Sequence, residues 1–471
     1  MNTSVPGARI EVTPHTALID VSRAIVLSGF APHARVEVVA CLQQHDGSEW
    51  RSVNRFVTDS AGQVDLRHVV PIVGDYAGGA AAPMGIVWSM QCVTSATLAV
   101  AADEVAPLTV EIEARQVSGE GGNDGSVSGE SRDVGSGERG DGGNDAAHAA
   151  ARATLVQLLL APGVSRREIR ERGVVGTLFM PAGAGPYPAV VVLNGSGGGI
   201  NEPRAALYAA HGIAALALGY FKAPGLPATI SRMPLEYFVN ALGWLRETIR
   251  PDRGFVAVAG QSRGAELALL LGATYPQQVS AVIAYVPSAV VHGTLRAGAP
   301  GQSPDSPAWT LDGTALSNVW EGNAHADWHA FKHPPAPDAP IRQAPAFVSA
   351  LADAAAVARS RIAVERIAGP ILLISGSDDG FWPSSRYADL IVETLREHAF
   401  AHAFEHLLYA HAGHSILFPH VPTTRLAALH PVAGVPITSG GTPLANAHAN
   451  EDSWPRVLAF LAAATAAGAA S

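Results

Sequence analysis

The 471-residue sequence predicts two domains, an N-terminal antiparallel β-sandwich and a C-terminal α/β domain with a parallel sheet. Three observations predict this arrangement. The chain is longer than one hydrophobic core usually supports. Apolar and polar residues alternate before residue 115, whereas buried apolar runs and helical spacings alternate after residue 148. A charged stretch rich in glycine and serine separates these two patterns at residues 116–147.

The first domain is expected at residues 8–115, where short β-branched runs are separated by turn signals such as HDGS and DSAGQ. Strands at this spacing are typical of an antiparallel sandwich. Its two cysteines, Cys41 and Cys92, are expected to be free thiols, with a disulfide between two strands as the alternative. We find no group of catalytic residues here.

Residues 116–147 predict a disordered linker, because they hold seven acids and two bases among glycines and serines and cannot bury apolar surface. The chain has no basic patch for nucleic acid, although its net charge is −10. It also has no apolar run long enough to span a membrane and no secretory signal pattern. We therefore expect a cytoplasmic protein that binds no nucleic acid and does not cross a membrane.

The second domain is expected at residues 148–469. Apolar segments such as AVVVL, IAALALGY, VSAVIAY and PILLIS read as buried strands, and helical segments such as RAALYAAHG and LEYFVNALGWLRETI lie between them. Buried strands that alternate with helices indicate a parallel sheet covered on both faces. Residues 293–360 lose this pattern, and we expect them to form a cap-like insertion.

The segment Gly260-Gln261-Ser262-Arg263-Gly264 matches the G-x-S-x-G pattern between a predicted strand and a predicted helix. A nucleophile at such a turn has a strained backbone, and strand and helix pass so close that the flanking positions require glycine. This placement predicts an α/β-hydrolase with Ser262 as its nucleophile.

A serine hydroxyl needs a base, and the base needs an acid that orients it. In α/β-hydrolases the acid precedes the histidine along the chain. The late strand PILLISG is followed by Asp378 and Asp379, and we favour Asp379 because it lies three residues beyond Gly376. The last strand is followed by His411 and His414, and we favour His414 as the base.

The oxyanion of a tetrahedral intermediate needs preorganised N–H donors. We expect one from the backbone of Arg263 and one from the glycine-rich loop at Ser196 or Gly197. Phosphate binding by this loop is disfavoured, because no Gly-Lys-Ser/Thr follows and G-x-G-x-x-G is absent. Residues 402–406 match the H-x-x-E-H zinc pattern, but the segment leads into a strand rather than forming the helix that zinc requires. The predicted chemistry needs no metal or other cofactor.

The sequence resembles the family of acyl-CoA thioesterases and bile acid-CoA:amino acid N-acyltransferases. The matching stretches include PMGIVWSM, GVVGTLFMP, NGSGGG, RAALYAAHGIAALALGYF, GSDDGFWPS and HAGH. The resemblance implies an immunoglobulin-like sandwich before an α/β-hydrolase domain, with Ser262 as nucleophile, Asp379 as acid and His414 as base. The family's transferases have cysteine at the nucleophile position, so Ser262 favours hydrolysis. Residues 201–204 and 293–360 depart from the family pattern, which leaves the acyl-chain preference open.

The predicted function is hydrolysis of an acyl-CoA substrate to a free fatty acid and coenzyme A. The alternatives are a carboxylesterase or dienelactone-type hydrolase acting on oxygen esters, an amino-acid N-acyltransferase, and a non-catalytic binding protein. Arg166, Arg167, Arg170 and Arg172 form a basic cluster that could contact coenzyme A phosphates. We favour the simpler interpretation, in which the cluster is a solvated strand edge.

Overall fold

The computed structural model describes residues 7–94, 103–117, 150–334, 336 and 339–467. Most of the predicted linker, residues 118–147, lies outside the described residues. Its first two positions, Gln116 and Val117, belong to a strand. The linker therefore begins later than residue 116, because the alternating pattern continues through these two residues.

The first domain is a sandwich of two sheets whose inner faces share one core that includes Leu27, Val38 and Val110. One sheet has the order β1-β3-β6 and the other β2-β10-β9-β4-β5-β7, with β8 beside β5. The elements are β1 (Arg9–Thr13), β2 (Thr16–Leu18), β3 (Ala24–Ser28), β4 (Arg35–Gln43), β5 (Glu49–Val57), β6 (Val64–Asp65), β7 (Val73–Gly74), α1 (Gly85–Trp88), β8 (Gln91–Thr94), β9 (Leu108–Val117) and β10 (Ala150–Leu158).

Strand β10 corrects the predicted domain boundary. It pairs with β9 and β2 inside the sheet of the first domain, although we assigned residues from 148 onward to the second. The first domain therefore extends at least to Leu158. Within it, Cys41 and Cys92 are free and partly buried, as expected.

The second domain is built on an eight-stranded sheet of order β11-β12-β14-β13-β16-β17-β20-β21. Strand β12 is antiparallel to both of its neighbours, β11 and β14. The other strands of the sheet, β14, β13, β16, β17, β20 and β21, are parallel to one another. The elements are β11 (Ser165–Glu171), β12 (Val174–Met180), β13 (Ala189–Leu193), α2 (Glu202–Ala210), β14 (Ala214–Leu218), β15 (Met233–Pro234), α3 (Leu235–Ile249), β16 (Val256–Gln261), α4 (Arg263–Thr274), β17 (Ala281–Tyr285), β18 (Trp309–Leu311), β19 (Thr314–Ala315), α5 (His329–Lys332), α6 (Ala344–Ala350), α7 (Ala354–Ser360), β20 (Ile371–Gly376), α8 (Ser384–Glu397), β21 (Phe404–Tyr409), β22 (Ala427–Leu429), β23 (Pro436–Thr438) and α9 (Pro443–Ala467).

The parallel strands other than the edge strand β21 are buried on both faces, which explains why they read as continuous apolar runs. In β13, Val191 faces the core that contains Phe238 of α3, and Val190 faces the core that contains Trp454 of α9. This confirms the predicted α/β fold class. The carboxyl ends of β13, β16, β20 and β21 lie along one edge of the sheet, which is where such sheets place their ligand sites.

Residues 293–360 contain β18, β19 and three short helices, α5 to α7, and β18 pairs with β15. Among the helices that the structure describes, none has the length and apolar character of a membrane span.

Candidate active site

Ser262 occupies the sharp turn between β16 and α4. Its φ of 60° and ψ of −121° lie in a region that non-glycine residues rarely adopt. Backbone hydrogen bonds hold this conformation, since the Ser262 N–H donates to the carbonyl of Tyr285 at 2.9 Å and the Ser262 carbonyl accepts from Ala265 at 2.8 Å. The turn therefore presents the serine side chain at the carboxyl edge of the sheet.

The two glycines of the pattern are required by close backbone contacts. A Cβ atom on Gly260 would overlap the backbone of Gly264. A Cβ atom on Gly264 would overlap the carbonyl groups of Leu193 and Asn194, which belong to the neighbouring strand and its loop. Strand, helix and loop thus converge at the serine.

Asp379 and His414 are in direct contact at the same edge. The Nδ1 atom of His414 lies 2.8 and 2.9 Å from the two carboxylate oxygens of Asp379, and both side chains are buried. The Oδ1 atom of Asp379 also accepts hydrogen bonds from the backbone of Phe381 and Trp382, at 2.9 and 3.2 Å. These bonds imply that the histidine proton is on Nδ1, which leaves a lone pair on Nε2.

The His414 ring is also fixed from the side, where Phe381 stacks on it at 4.4 Å between ring centroids. Its Nε2 atom is buried and has no hydrogen-bond partner among the described residues. Ser262 likewise makes no side-chain hydrogen bond within that part of the chain, and hydrogen bonds between catalytic groups often form only when substrate binds. Asp378 points elsewhere and pairs with Arg342 at 2.6 Å.

The glycine-rich loop after β13 packs against Ser262. A Cβ atom on Gly195 would lie 3.2 Å from that of Ser262. The Asn194 side chain closes the loop by donating to the carbonyl of Gly198 at 2.6 Å and accepting from its neighbour's amide at 2.9 Å. Within the described residues, the amides of Ser196, Gly197 and Arg263 donate no hydrogen bond. These are the three predicted oxyanion donors.

His430 was missed by the sequence analysis. Its Nε2 atom lies 2.8 Å from the hydroxyl oxygen of Ser196, and its Nδ1 atom accepts from the amides of Val432 and Ala433. Burial lowers the pKa of His430 to about 4, with a smaller contribution from nearby cations that include Lys222 and Arg296. The ring is therefore neutral at pH 7, and Nε2–H donates to Ser196. Nothing local distinguishes this residue among eighteen histidines.

A narrow pocket of about 40 Å³ opens over Ser262. Ser196, Ser262 and Arg263 line its base, and residues 294–297 line one side. The remaining lining residues are Gln343, Phe347, Phe381, Trp382, His430, Ala433 and Ile437. Six of the lining residues, those at 294–297, 343 and 347, come from the segment 293–360 that the sequence predicts to be a cap-like insertion.

A buried ion pair lies in the first turn of α4, directly after Ser262. The guanidinium of Arg263 is 2.9 Å from Glu266, and the two side chains are 3% and 0% exposed. The other carboxylate oxygen of Glu266 accepts from the indole N–H of Trp309 and from the amide of His292. Sequence reasoning missed this network, which connects α4 to the segment above the pocket.

The structure also bears on two other interpretations of the sequence, a zinc site at residues 402–406 and a coenzyme A contact at the arginine cluster. Residues 404–409 are a strand, so Glu405 and His406 point to opposite faces. In the described ranges, no group of three or more metal-ligating side chains could hold a metal ion. The arginines at 166, 167, 170 and 172 lie on or beside the edge strand β11, and each is paired with a glutamate.

The sheet order, the strained serine at a strand–helix turn and the buried Asp–His pair together define an α/β-hydrolase. The profile described as BAAT / Acyl-CoA thioester hydrolase C terminal matches residues 233–300 and 337–467. The profile described as Acyl-CoA thioester hydrolase/BAAT N-terminal region matches residues 20–171. The chain belongs to this family of acyl-CoA thioester hydrolases and N-acyltransferases, which confirms the resemblance.

Relatives match almost the whole chain. Acyl-coenzyme A thioesterase 1 of Homo sapiens is 30% identical over 438 residues, covering 93% of this chain and 91% of the relative. The peroxisomal succinyl-coenzyme A thioesterase of Mus musculus is 28% identical over 446 residues, covering 93% and 92%. Among solved structures, a carboxylesterase from Mesorhizobium loti is 15% identical with a TM-score of 0.32, covering 54% of this chain and 94% of that one.

Proposed function

We propose that this protein hydrolyses acyl-CoA thioesters to free fatty acid and coenzyme A, with Ser262, His414 and Asp379 as its catalytic triad. The observation that carries the proposal is the state of His414. Its Nδ1 atom is held by Asp379, and its buried Nε2 atom has no partner in the described part of the chain. Membership of the family supports the thioester as substrate.

In the proposed reaction the Ser262 oxygen attacks the thioester carbonyl carbon while its proton passes to Nε2 of His414. Asp379 remains ionised and stabilises the imidazolium that forms. The carbonyl oxygen becomes an oxyanion, which accepts from the amide of Arg263 and from that of Ser196 or Gly197. Coenzyme A leaves with the proton from His414, and an acyl-enzyme ester on Ser262 remains.

Water completes the cycle. His414 takes a proton from the attacking water, the second tetrahedral intermediate uses the same amides, and the free acid leaves as Ser262 regains its proton. A serine ester resolved by water gives hydrolysis, whereas an amino acid in place of water would give the N-acyl transfer of the family's other branch. The nucleophile in this chain is serine, which supports hydrolysis.

The experiment is thiol release from a panel of acyl-CoAs by wild type and by Ser262→Ala. We expect the substitution to lower kcat at least about 1,000-fold, because only the amides and binding contacts would then stabilise the transition state. Ser165→Ala, at an exposed position on β11, is the matched control. Near-wild-type activity in Ser262→Ala would refute the assignment.

Two further assays separate the alternatives. Oxygen esters of the same acids test the carboxylesterase interpretation, which would be favoured if they react faster than the thioesters. Added glycine or taurine tests N-acyl transfer, which would appear as an amide product.

A further inference from the structure

An arginine that has no ion-pair partner among the described residues lines the candidate pocket. Arg296 lies on a single 3-10 turn, Leu295–Ala297, and lines the same pocket as Ser262. Within the described residues its side chain makes no ion pair, and its Nε atom is buried with no hydrogen-bond partner. Its guanidinium lies over the ring of Phe331, 5.3 Å from the centroid. The group is half-buried and still charged, since arginine does not deprotonate in proteins.

No carboxylate in the described part of the chain forms an ion pair with Arg296. Among the described residues that line the pocket, none carries a carboxylate. Arg263, the other arginine in the lining, is neutralised by Glu266. Lys222 adds a second cation beside the pocket, where its Nζ donates to the carbonyl of Pro431 at 2.6 Å. Burial lowers the pKa of Arg296, and no acid among the residues that the structure describes opposes this effect.

A half-buried cation among apolar walls is costly unless an anion completes the site. The planar guanidinium fork fits a carboxylate through two parallel hydrogen bonds, and exclusion of water strengthens such a pair. We propose that Arg296 binds a carboxylate at the far end of the acyl group, so that the preferred substrates are CoA thioesters of short dicarboxylic acids. This inference rests on the proposed function and specifies its substrate class.

The phosphates of coenzyme A are the other source of an anion. They are separated from the thioester sulfur by about thirteen bonds, or about 16 Å in an extended chain. Ser262 and Arg296 instead line one pocket of about 40 Å³. The anion that reaches Arg296 while the thioester carbonyl is at Ser262 must therefore lie near the reacting carbon. A carboxylate on a short acyl chain meets this condition.

The test compares substrate pairs that differ only in the terminal group, succinyl-CoA with butyryl-CoA and glutaryl-CoA with valeryl-CoA. We expect wild type to have the higher kcat/KM for the dicarboxylic member of each pair. Arg296→Gln should lower this preference about 10- to 100-fold, as expected for loss of a hydrogen-bonded charge pair. Arg296→Lys should keep part of it, because an ammonium group retains the charge but not the fork.

Arg366→Gln is the matched control, because it removes the same charge from an exposed position outside the pocket. The control should keep the wild-type preference, and a parallel loss in both variants would overturn the proposal. Thermal unfolding of Arg296→Gln and Arg296→Lys separates a specific loss from a folding defect.

The source of the anion is decided with N-acetylcysteamine thioesters, which lack the phosphates of coenzyme A. A preference for the succinyl thioester that Arg296→Gln abolishes in this series supports the carboxylate. If the substitution slows succinyl-CoA and butyryl-CoA equally and has no effect on N-acetylcysteamine thioesters, Arg296 binds phosphate and the proposal is wrong. Thiol release from butyryl-CoA alone would overturn the inference and leave the proposed function standing. No release from any thioester would overturn both.

Discussion

Replacement of Glu266 by glutamine should destabilise the protein strongly, although Glu266 does not line the candidate pocket. The Glu266 carboxylate is fully buried and receives three donors, the guanidinium of Arg263 at 2.9 Å, the indole of Trp309 at 2.8 Å and the amide of His292 at 3.2 Å. Glutamine offers one acceptor oxygen and one NH₂ group in the same space. At least one donor would lose its partner, and the charge of Arg263 would be left uncompensated.

The magnitude follows from burial. Breaking a buried ion pair by removing one partner costs about 3–5 kcal/mol, because the remaining charge has neither water nor a counterion. At about 1.4 kcal/mol per factor of ten, the ratio of folded to unfolded molecules should fall by about 140- to 3,700-fold. A loss of about 3–5 kcal/mol is a large part of the free energy of unfolding of a typical protein.

The assay is urea unfolding followed by tryptophan fluorescence, with the double variant Arg263→Met/Glu266→Gln measured beside Glu266→Gln. The double variant removes both charges, and its glutamine oxygen can still accept from the indole of Trp309 and the amide of His292. We expect it to be more stable than Glu266→Gln, because no unpaired charge remains. The double variant keeps the backbone amide at position 263, which is a proposed oxyanion donor.

A loss of less than about 1 kcal/mol in Glu266→Gln would refute the reasoning. It would mean that water or a proton reaches the carboxylate and that the pair does not connect α4 to the segment above the pocket. A double variant less stable than Glu266→Gln would also contradict it, because removal of the unpaired Arg263 charge should stabilise the protein.

The remaining predictions concern the strand–helix turn at Ser262 and the stability of the protein at acidic pH. Gly264→Ala should lower kcat/KM at least about 100-fold and lower the free energy of unfolding by roughly 1–3 kcal/mol. The added methyl group overlaps the carbonyls of Leu193 and Asn194, and it therefore displaces the glycine-rich loop after β13 that holds two of the proposed oxyanion donors. Gly243→Ala in α3 meets no atom within 4 Å, so it should instead stabilise the protein by roughly 0.5–1 kcal/mol, and equal effects in urea unfolding would contradict the steric argument. The pKa of His430 is about 4 in the folded protein and about 6.5 when unfolded, so between these values only the unfolded state binds the proton. The free energy of unfolding should therefore fall with pH from about 6.5 to 4, by about 1.4 kcal/mol per pH unit from this residue, and His430→Asn should remove that slope. An unchanged slope in His430→Asn would show that the ring is protonated in the folded state.

Part of this structure follows from local sequence patterns. Strand–helix alternation determined the α/β class, because the period of buried positions depends only on neighbours along the chain. The turn around Ser262 was recognisable for the same reason, since its glycines and flanking elements are contiguous. His414 could be chosen by its position after the last strand, without knowledge of its partners.

Other features depended on contacts between distant segments. Strand β10 lies in the first domain because it pairs with β9 across a long separation in sequence, which alternation alone does not reveal. The choice between Asp378 and Asp379 could only be argued from spacing, and the folded chain decides which carboxylate meets His414.

The sequence by itself determined the fold class, the family and the strand–helix turn at Ser262, since each is encoded in contiguous residues. Only the tertiary structure decided that His430 donates to Ser196, that Glu266 neutralises Arg263 and that Arg296 has no partner in the described pocket. These three properties depend on which charged and polar groups meet after folding. Hydrogen bonds and ion pairs between distant segments have no signature in local periodicity, because they are set by the packing of whole elements.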